Sequence, residues 1–252
     1  MGTITVVVKQ KNGKGKYRVG IPDYSTIAIP IYDWARSVYG KVKELIPSDT
    51  PKPLGKYVVI TTYVDANLYH DLITGRSVTG VLHLLNQTPI EWYSKKTATV
   101  ETSTFSSEFV AARIATEQVM DLRQTLRYMG VPVMEKSYMF GDNESVVKNS
   151  TVPHSQLKKR HVALSYHRVR EAIASGVIVF THIAGEMNPA DILSKHWGFA
   201  QVWTQLKTLL FWSGETKDIP SSVAIKQKQT KGELQVSHNG SVKPVTSMLM
   251  SR

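Results

Sequence analysis

From residue 56 onward the apolar positions recur at strand and helix spacings, and their order predicts an α/β domain. KYVVITTYVDA (56–66) is a β-branched and aromatic run of strand length that ends on Asp65. SVTGVLHLLN (77–86) and PIEWYSKK (89–96) read as two more strands, and with only Gln87 and Thr88 between them they predict a hairpin. A long helix over roughly 104–129 carries the stripe Ala111, Ala112, Ala115, Val119, Leu122, Leu126 and meets its stop signals at Gly130 and Pro132. KSYMFGD (136–142) is a fourth strand, again closing on an acid, Asp142. A second long helix, about 157–175, shows Val162, Tyr166, Val169 and Ile173 at helical spacing and ends at Gly176. VIVFTHI (177–183) is the fifth strand, and Asn188-Pro189 reads as an N-cap followed by proline at the first helical position, opening a last helix over ADILSKHW. The order βββαβαβα predicts a five-stranded mixed sheet with helices packed on it.

The flanks read differently. Residues 1–53 offer VVVKQ and KYRVG as a hairpin around Asn12-Gly13, but Pro22, Pro30, Pro47, Pro51 and Pro53 interrupt the rest of the segment, which predicts an extended N-terminal arm or linker. Residues 215–252 are rich in Lys, Gln, Ser and Thr and predict a basic disordered tail, leaving 54–214 as the domain. A formal net charge of +11 predicts attraction to polyanions, nucleic acid being the commonest; charge that serves only solubility is the plainer alternative. With no cysteine there is no disulfide, no thiol nucleophile and no thiolate-held zinc, so any metal must be held by oxygen or imidazole. The absence of cysteine suits a reducing compartment, and apolar runs of about eight residues with an amino terminus unlike a signal peptide predict a soluble intracellular protein.

Four carboxylates stand out. If the strands ending in Asp65 and Asp142 are parallel neighbours, both acids emerge at one edge of the sheet, where open α/β sheets bind ligands; Asp also ends strands simply because it suits turns. Glu108 lies on the stripe that must pack against the sheet, where a carboxylate costs several kcal/mol unless compensated. Asp191 stands in the first turn of the last helix, an ordinary place for an acid. Together they suggest a patch whose mutual repulsion a pair of divalent cations would relieve. An all-oxygen site favours Mg²⁺ or Mn²⁺, and two such ions suit in-line phosphoryl displacement, which in a basic protein points to a nuclease.

The pieces YVDANLYHDLITGRSVTGVLHLL, PIEWYSKKTATVETSTFSSEFVAA, FGDNESVV, KKRHVALSYHRVREAI and HIAGEMNPADILSK, in this order over roughly 56–198, resemble the ribonuclease H domain of copia-type LTR retrotransposon polyproteins, with similarity trailing to about 215. The resemblance implies a ribonuclease H-like fold, cleavage of RNA in RNA/DNA hybrids with two metal ions, and a D-E-D-D set of Asp65, Glu108, Asp142 and Asp191. It implies a reverse transcriptase upstream or in trans, no membrane partner, and a cytoplasmic location in a virus-like particle with the nucleus as a further site. Many cellular ribonucleases H carry a histidine in the loop before the last Asp that assists product release. Here His182 lies at a strand end, nine residues before Asp191, and is the candidate for that role or for a structural one.

Short polar groups beside the acids, Asn67, Ser107 and Asn143, are candidates for reading 2′-hydroxyls of a hybrid, or else cap and turn residues. Lys158, Lys159, Arg160, Arg168 and Arg170, with Lys95 and Lys96, are candidates for phosphate contacts, or else a solvated helix face. His83, His161, His167 and His196 read as structural or surface residues. Two other functions compete: a catalytically inactive nucleic-acid-binding remnant of a retroelement, and an integrase-like strand transferase. The latter typically places a Glu late in the acid set, where this sequence has Asp191.

Overall fold

The computed structural model describes residues 38–210 except 87, 153 and 158, so the Asn12-Gly13 hairpin, Lys158 and the basic tail lie outside the described residues. Five strands form one sheet: β1 (Ile60–Asn67), β2 (Val78–Leu85), β3 (Thr88–Lys96), β4 (Ser137–Gly141) and β5 (Ile178–His182), in the order β3-β2-β1-β4-β5. β2 runs antiparallel to β1 and β3, while β1, β4 and β5 are parallel. This is the five-stranded mixed sheet expected from the sequence.

Two apolar layers cover the sheet. On one face Ile60, Val64 and Val81 pack with Phe109, Ala112, Ala115 and Val119 of α1 (Thr104–Tyr128) and with Val169 and Ile173 of α3 (Ala163–Ala174). On the other, Tyr63, Leu82, Phe140 and Val179 pack with Ala190 just before α4 (Asp191–Ser194), with Leu193 within it, and with Leu209 of α5 (Phe199–Leu210). Strand alternation thus sends Ile60 and Val64 toward α1 and Tyr63 toward α4.

The second half of the chain departs from the sequence reading. A helix α2 (Glu144–Thr151) follows β4 at once, because the Asn143 side chain accepts the Val146 N–H and caps it. The next helix is correspondingly shorter than expected, a 3₁₀ turn at 160–162 leading into α3. Arg170, expected to project toward phosphate, is buried: its guanidinium donates to the Asn149 and Val152 carbonyls at the carboxyl end of α2. The last helix is also split. Asn188 is fully buried, donating to the Val64 carbonyl and accepting the Ala190 N–H, and α4 starts only at Asp191. α4 lies against β2 at Gly80, where a Cβ would sit 2.7 Å from the Ala190 carbonyl oxygen and 3.0 Å from Leu193 Cβ. Only glycine permits that approach.

The described part of the N-terminal arm fastens to the domain. Glu44 accepts from Arg123 Nε at 2.7 Å and from Arg127 at 2.6 Å, and Arg123 is fully buried, donating also to Ser137 Oγ and to the Met134 and Glu135 carbonyls. Further along, the Leu54 N–H donates to the Gly130 carbonyl and Val58 pairs with Val133. Burial alone would raise the Glu44 carboxyl, but the two guanidiniums bring it from 4.5 to about 2.

Removing one partner of a buried ion pair leaves the other uncompensated, at a cost of about 3–5 kcal/mol, less here because Arg123 keeps three other acceptors. Glu44→Gln should therefore lower stability by about 2–3 kcal/mol in denaturant unfolding. Glu117→Gln, which removes the carboxylate partner of half-exposed Arg113, should change it by less than about 1 kcal/mol. Equal effects would show that the arm is not part of the folded unit.

Candidate active site

The parallel pairing of β1 and β4 sets Val64 beside Gly141, so Asp65 and Asp142 emerge at the same edge of the sheet. Asp65 is 1% exposed. Its Oδ2 accepts from Ser194 Oγ, while its Oδ1 accepts no hydrogen bond. Glu108, also buried, reaches the same edge from α1 and is held by the Ala66 N–H. Asp191 arrives on α4, its carbonyl accepting from Trp197 Nε1. Asp65, Asp142 and Asp191 each place a carboxylate oxygen within 4.8 Å of the others. Asp65, Glu108 and Asp142 line an open cleft of about 640 Å³. The four acids isolated by sequence pattern are thus brought together. Gly185 makes room for one of them, since a Cβ there would sit 3.2 Å from Asp142 Oδ2.

Their electrostatics follow from crowding out of water. Burial, reinforced by the Asp191 and Asp142 charges, raises the Asp65 carboxyl from 3.8 to about 6, against the opposing Ser194 hydrogen bond and Lys195 charge. Burial and then the charges of Asp65 and Asp142 push Glu108 well above its ordinary value. Asp142 is raised by burial and by Asp191. Two residues of the site escaped the sequence reading. Ser194 and Lys195 stand three and four positions after Asp191, hence on its face of the helix, and that spacing was the available signal. The Lys195 ammonium bonds Asp191 Oδ1 and lies 3.5 Å from Asp65 Oδ1. Burial alone would lower its pKa, but Asp191, Asp65 and Asp142 together hold it above the ordinary lysine value.

The other candidates divide. Asn67 and Asn143 line the cleft, Asn143 also capping α2. Ser107 does not reach it: fully buried, it donates to the Thr104 carbonyl within its own helix. His182 is exposed and donates from Nε2 to the Asp142 carbonyl at 3.0 Å, which sets its ring beside the acids. Lys95, Lys96 and Arg160 are exposed, Lys96 pairing with Asp71. Lys159 bonds Ser103 at the start of α1, and Arg168 pairs with Glu171. His83 is a core residue between Thr62 and Gln118, its pKa lowered by burial, whereas His161 bonds Ser106, His167 bonds Tyr39, and His196 packs on His70.

No family model matches the chain. It is 28% identical over 142 residues to the retrovirus-related Pol polyprotein from transposon TNT 1-94 of Nicotiana tabacum. It is 25% identical over 141 residues to that from transposon RE2 of Arabidopsis thaliana. Each match covers 56% of this chain and 10% of the relative, so the chain spans about a tenth of the length of the curated relatives it matches. The relatives are Pol polyproteins of transposons, as the motifs implied. Among solved structures, RNase H1 of the halophilic archaeon Halobacterium salinarum aligns with a TM-score of 0.42 at 15% identity, over 54% of this chain and 93% of that one. LC11-RNase H1, solved in complex with an RNA/DNA hybrid, aligns with a TM-score of 0.43 at 19% identity over the same shares.

Because Asp65, Glu108 and Asp142 bind protons more tightly folded than unfolded, the metal-free folded state takes up protons as pH falls, and stability must drop as pH rises through the window from about 4 to about 6 that Asp65 defines. Glu44 acts in the opposite sense, its contribution being lost only as pH falls from 4.5 toward about 2. In chelator, the melting temperature should therefore be higher near pH 5 than near pH 7.5, and Mg²⁺ should narrow the difference. A melting temperature that climbs steadily from pH 5 to 8 in chelator would show that the acids are not buried together.

Proposed function

We propose that this chain is an endonuclease that hydrolyses the RNA strand of RNA/DNA hybrids with divalent metal ions, in the replication machinery of a retroelement. The observation that carries the reading is the convergence of three carboxylate oxygens within 4.8 Å, backed by buried Glu108, at one edge of the sheet. The similarity to transposon Pol polyproteins supports the same reading.

The donors fit hard cations. All are oxygens, and the buried Asp65 Oδ1 lacks any hydrogen bond, as an atom reserved for a ligand would. Asp65, Glu108, Asp142 and Asp191 would hold two Mg²⁺ or Mn²⁺ ions. Bound there, such ions supply an activated water and stabilise the charge on the leaving oxygen of an in-line displacement at phosphorus. The chain's own residues set the geometry: Ser194 fixes the orientation of Asp65, and His182 holds the backbone at Asp142. Asn67 and Asn143 offer the cleft short polar groups suited to 2′-hydroxyls. Lys95, Lys96, Lys159, Arg160 and Arg168 would carry phosphate contacts. A reverse transcriptase upstream or in trans, and a cytoplasmic particle, complete the reading. The inactive-remnant alternative is less favoured, because the acid set is both present and assembled. No helix among the described residues is long and apolar enough to cross a membrane.

Cleavage of a labelled RNA/DNA hybrid in Mg²⁺, beside duplex DNA and duplex RNA, tests the proposal directly, and equal cutting of all three would refute it. Asp142→Asn should raise the barrier by on the order of several kcal/mol in single-turnover cleavage. It should leave hybrid affinity unchanged or tighter and the metal-free melting temperature unchanged or higher, since one repelling charge is gone. An acid that merely ends a strand predicts the reverse, a lower melting temperature with normal turnover in the folded fraction.

Charge removal at Lys159 and Arg160 together should weaken hybrid binding and flatten its salt dependence, the slope of log K against log salt falling by about 0.9 for each phosphate no longer neutralised. An unchanged slope would make this surface merely solvated.

A further inference from the structure

We propose that the Lys195 ammonium is a built-in counter-cation of the acid cleft, holding the carboxylates together in the metal-free protein and withdrawing when a divalent ion enters. The inference rests on the metal-dependent reading above.

The cleft is lined by Asp65, Glu108, Asp142 and Glu144, and among its described lining residues Lys195 is the one base. Its ammonium contacts Asp191 Oδ1 and stands 3.5 Å from Asp65 Oδ1. Those acids belong, with Asp142, to the triad whose oxygens converge. Asp65 Oδ2 is already engaged by Ser194, so the Asp65 oxygen facing Lys195 is the one left for a metal. A dication coordinated by the same oxygens would lie within a few ångströms of the ammonium in a region of low dielectric, where like charges repel strongly. Lysine has somewhere to go: its side chain is 35% exposed and hangs on a flexible four-carbon stem. The helix that delivers Asp191 thus delivers its neutraliser one turn later, and metal loading becomes an exchange of one cation for another.

Two measurements on the full chain test this. In a ¹³C-lysine-labelled sample, the ε-methylene resonance of Lys195, assigned from its absence in Lys195→Met and independently in Lys195→Arg, should move toward the values of exposed lysines as Mg²⁺ is added. By calorimetry, Lys195→Met should bind Mn²⁺ more tightly than wild type, on the order of tenfold or more. A Lys195 resonance that stays put while Mg²⁺ saturates the acids, with equal Mn²⁺ affinities in the two proteins, would overturn the exchange and leave the metal site standing. Failure of both proteins to bind Mg²⁺ or Mn²⁺ would overturn both readings, whereas failure of a folded Lys195→Met alone would overturn the exchange. The resonance measurement uses wild-type protein, so it stands even where Lys195→Met is too unstable to study.

Discussion

Four carboxylates, three of them buried, are gathered at one edge of a sheet, and much of the architecture follows from keeping them there. Two unit charges 4 Å apart repel by about 4 kcal/mol at an effective dielectric near 20, so such a cluster disperses unless its carriers are fixed. Each acid accordingly rides on a separate rigid element: Asp65 on β1, Asp142 just past the neighbouring parallel strand, Glu108 on the first turns of a 25-residue helix, Asp191 on α4. The least secure carrier is α4, only four residues long, and it is clamped hardest. Gly80 lets it touch the sheet, buried Asn188 ties its approach to β1, and Ser94 donates to the Leu193 carbonyl.

The two strand-end aspartates and Glu108 were legible because each breaks or closes a strong pattern. A parallel β1/β4 pair follows from the βαβ order, and a carboxylate on an apolar stripe is visible by counting. Ser194 and Lys195 were harder, since a lysine four residues after an aspartate reads as an ordinary surface pair; only the burial of Asp191 against β1 turns it into part of the site. α2 was missed because ESVVKNST has too few apolar positions to announce a helix, and its ends depend on a side-chain cap and on a distant guanidinium. Ser107 lies off the cleft for a related reason: adjacency to Glu108 in sequence puts it about 100° around the helix, on a side that packs inward.

Net charge proved to be a mixture of two populations. Arg123 and Arg170 are buried and act as struts, each gathering several carbonyl oxygens that secondary structure leaves unpaired. A guanidinium suits this work because its planar fork of five donors can satisfy acceptors from two segments at once. The bases that remain exposed, such as Lys95 and Arg160, are those whose field extends into solvent. Summed charge cannot separate these populations, since both count equally at the level of composition.

The ion pair of Glu44 with Arg123 and Arg127 joins the arm beside Ser137, where β4 begins, whereas the acids lie past its other end at Asp142. A pull on the arm at Glu44 is therefore borne at the end of β4 opposite the acids. The domain resembles a tool gripped by its handle: the hold that Glu44 takes falls on one end of β4, and the carboxylates work at the other.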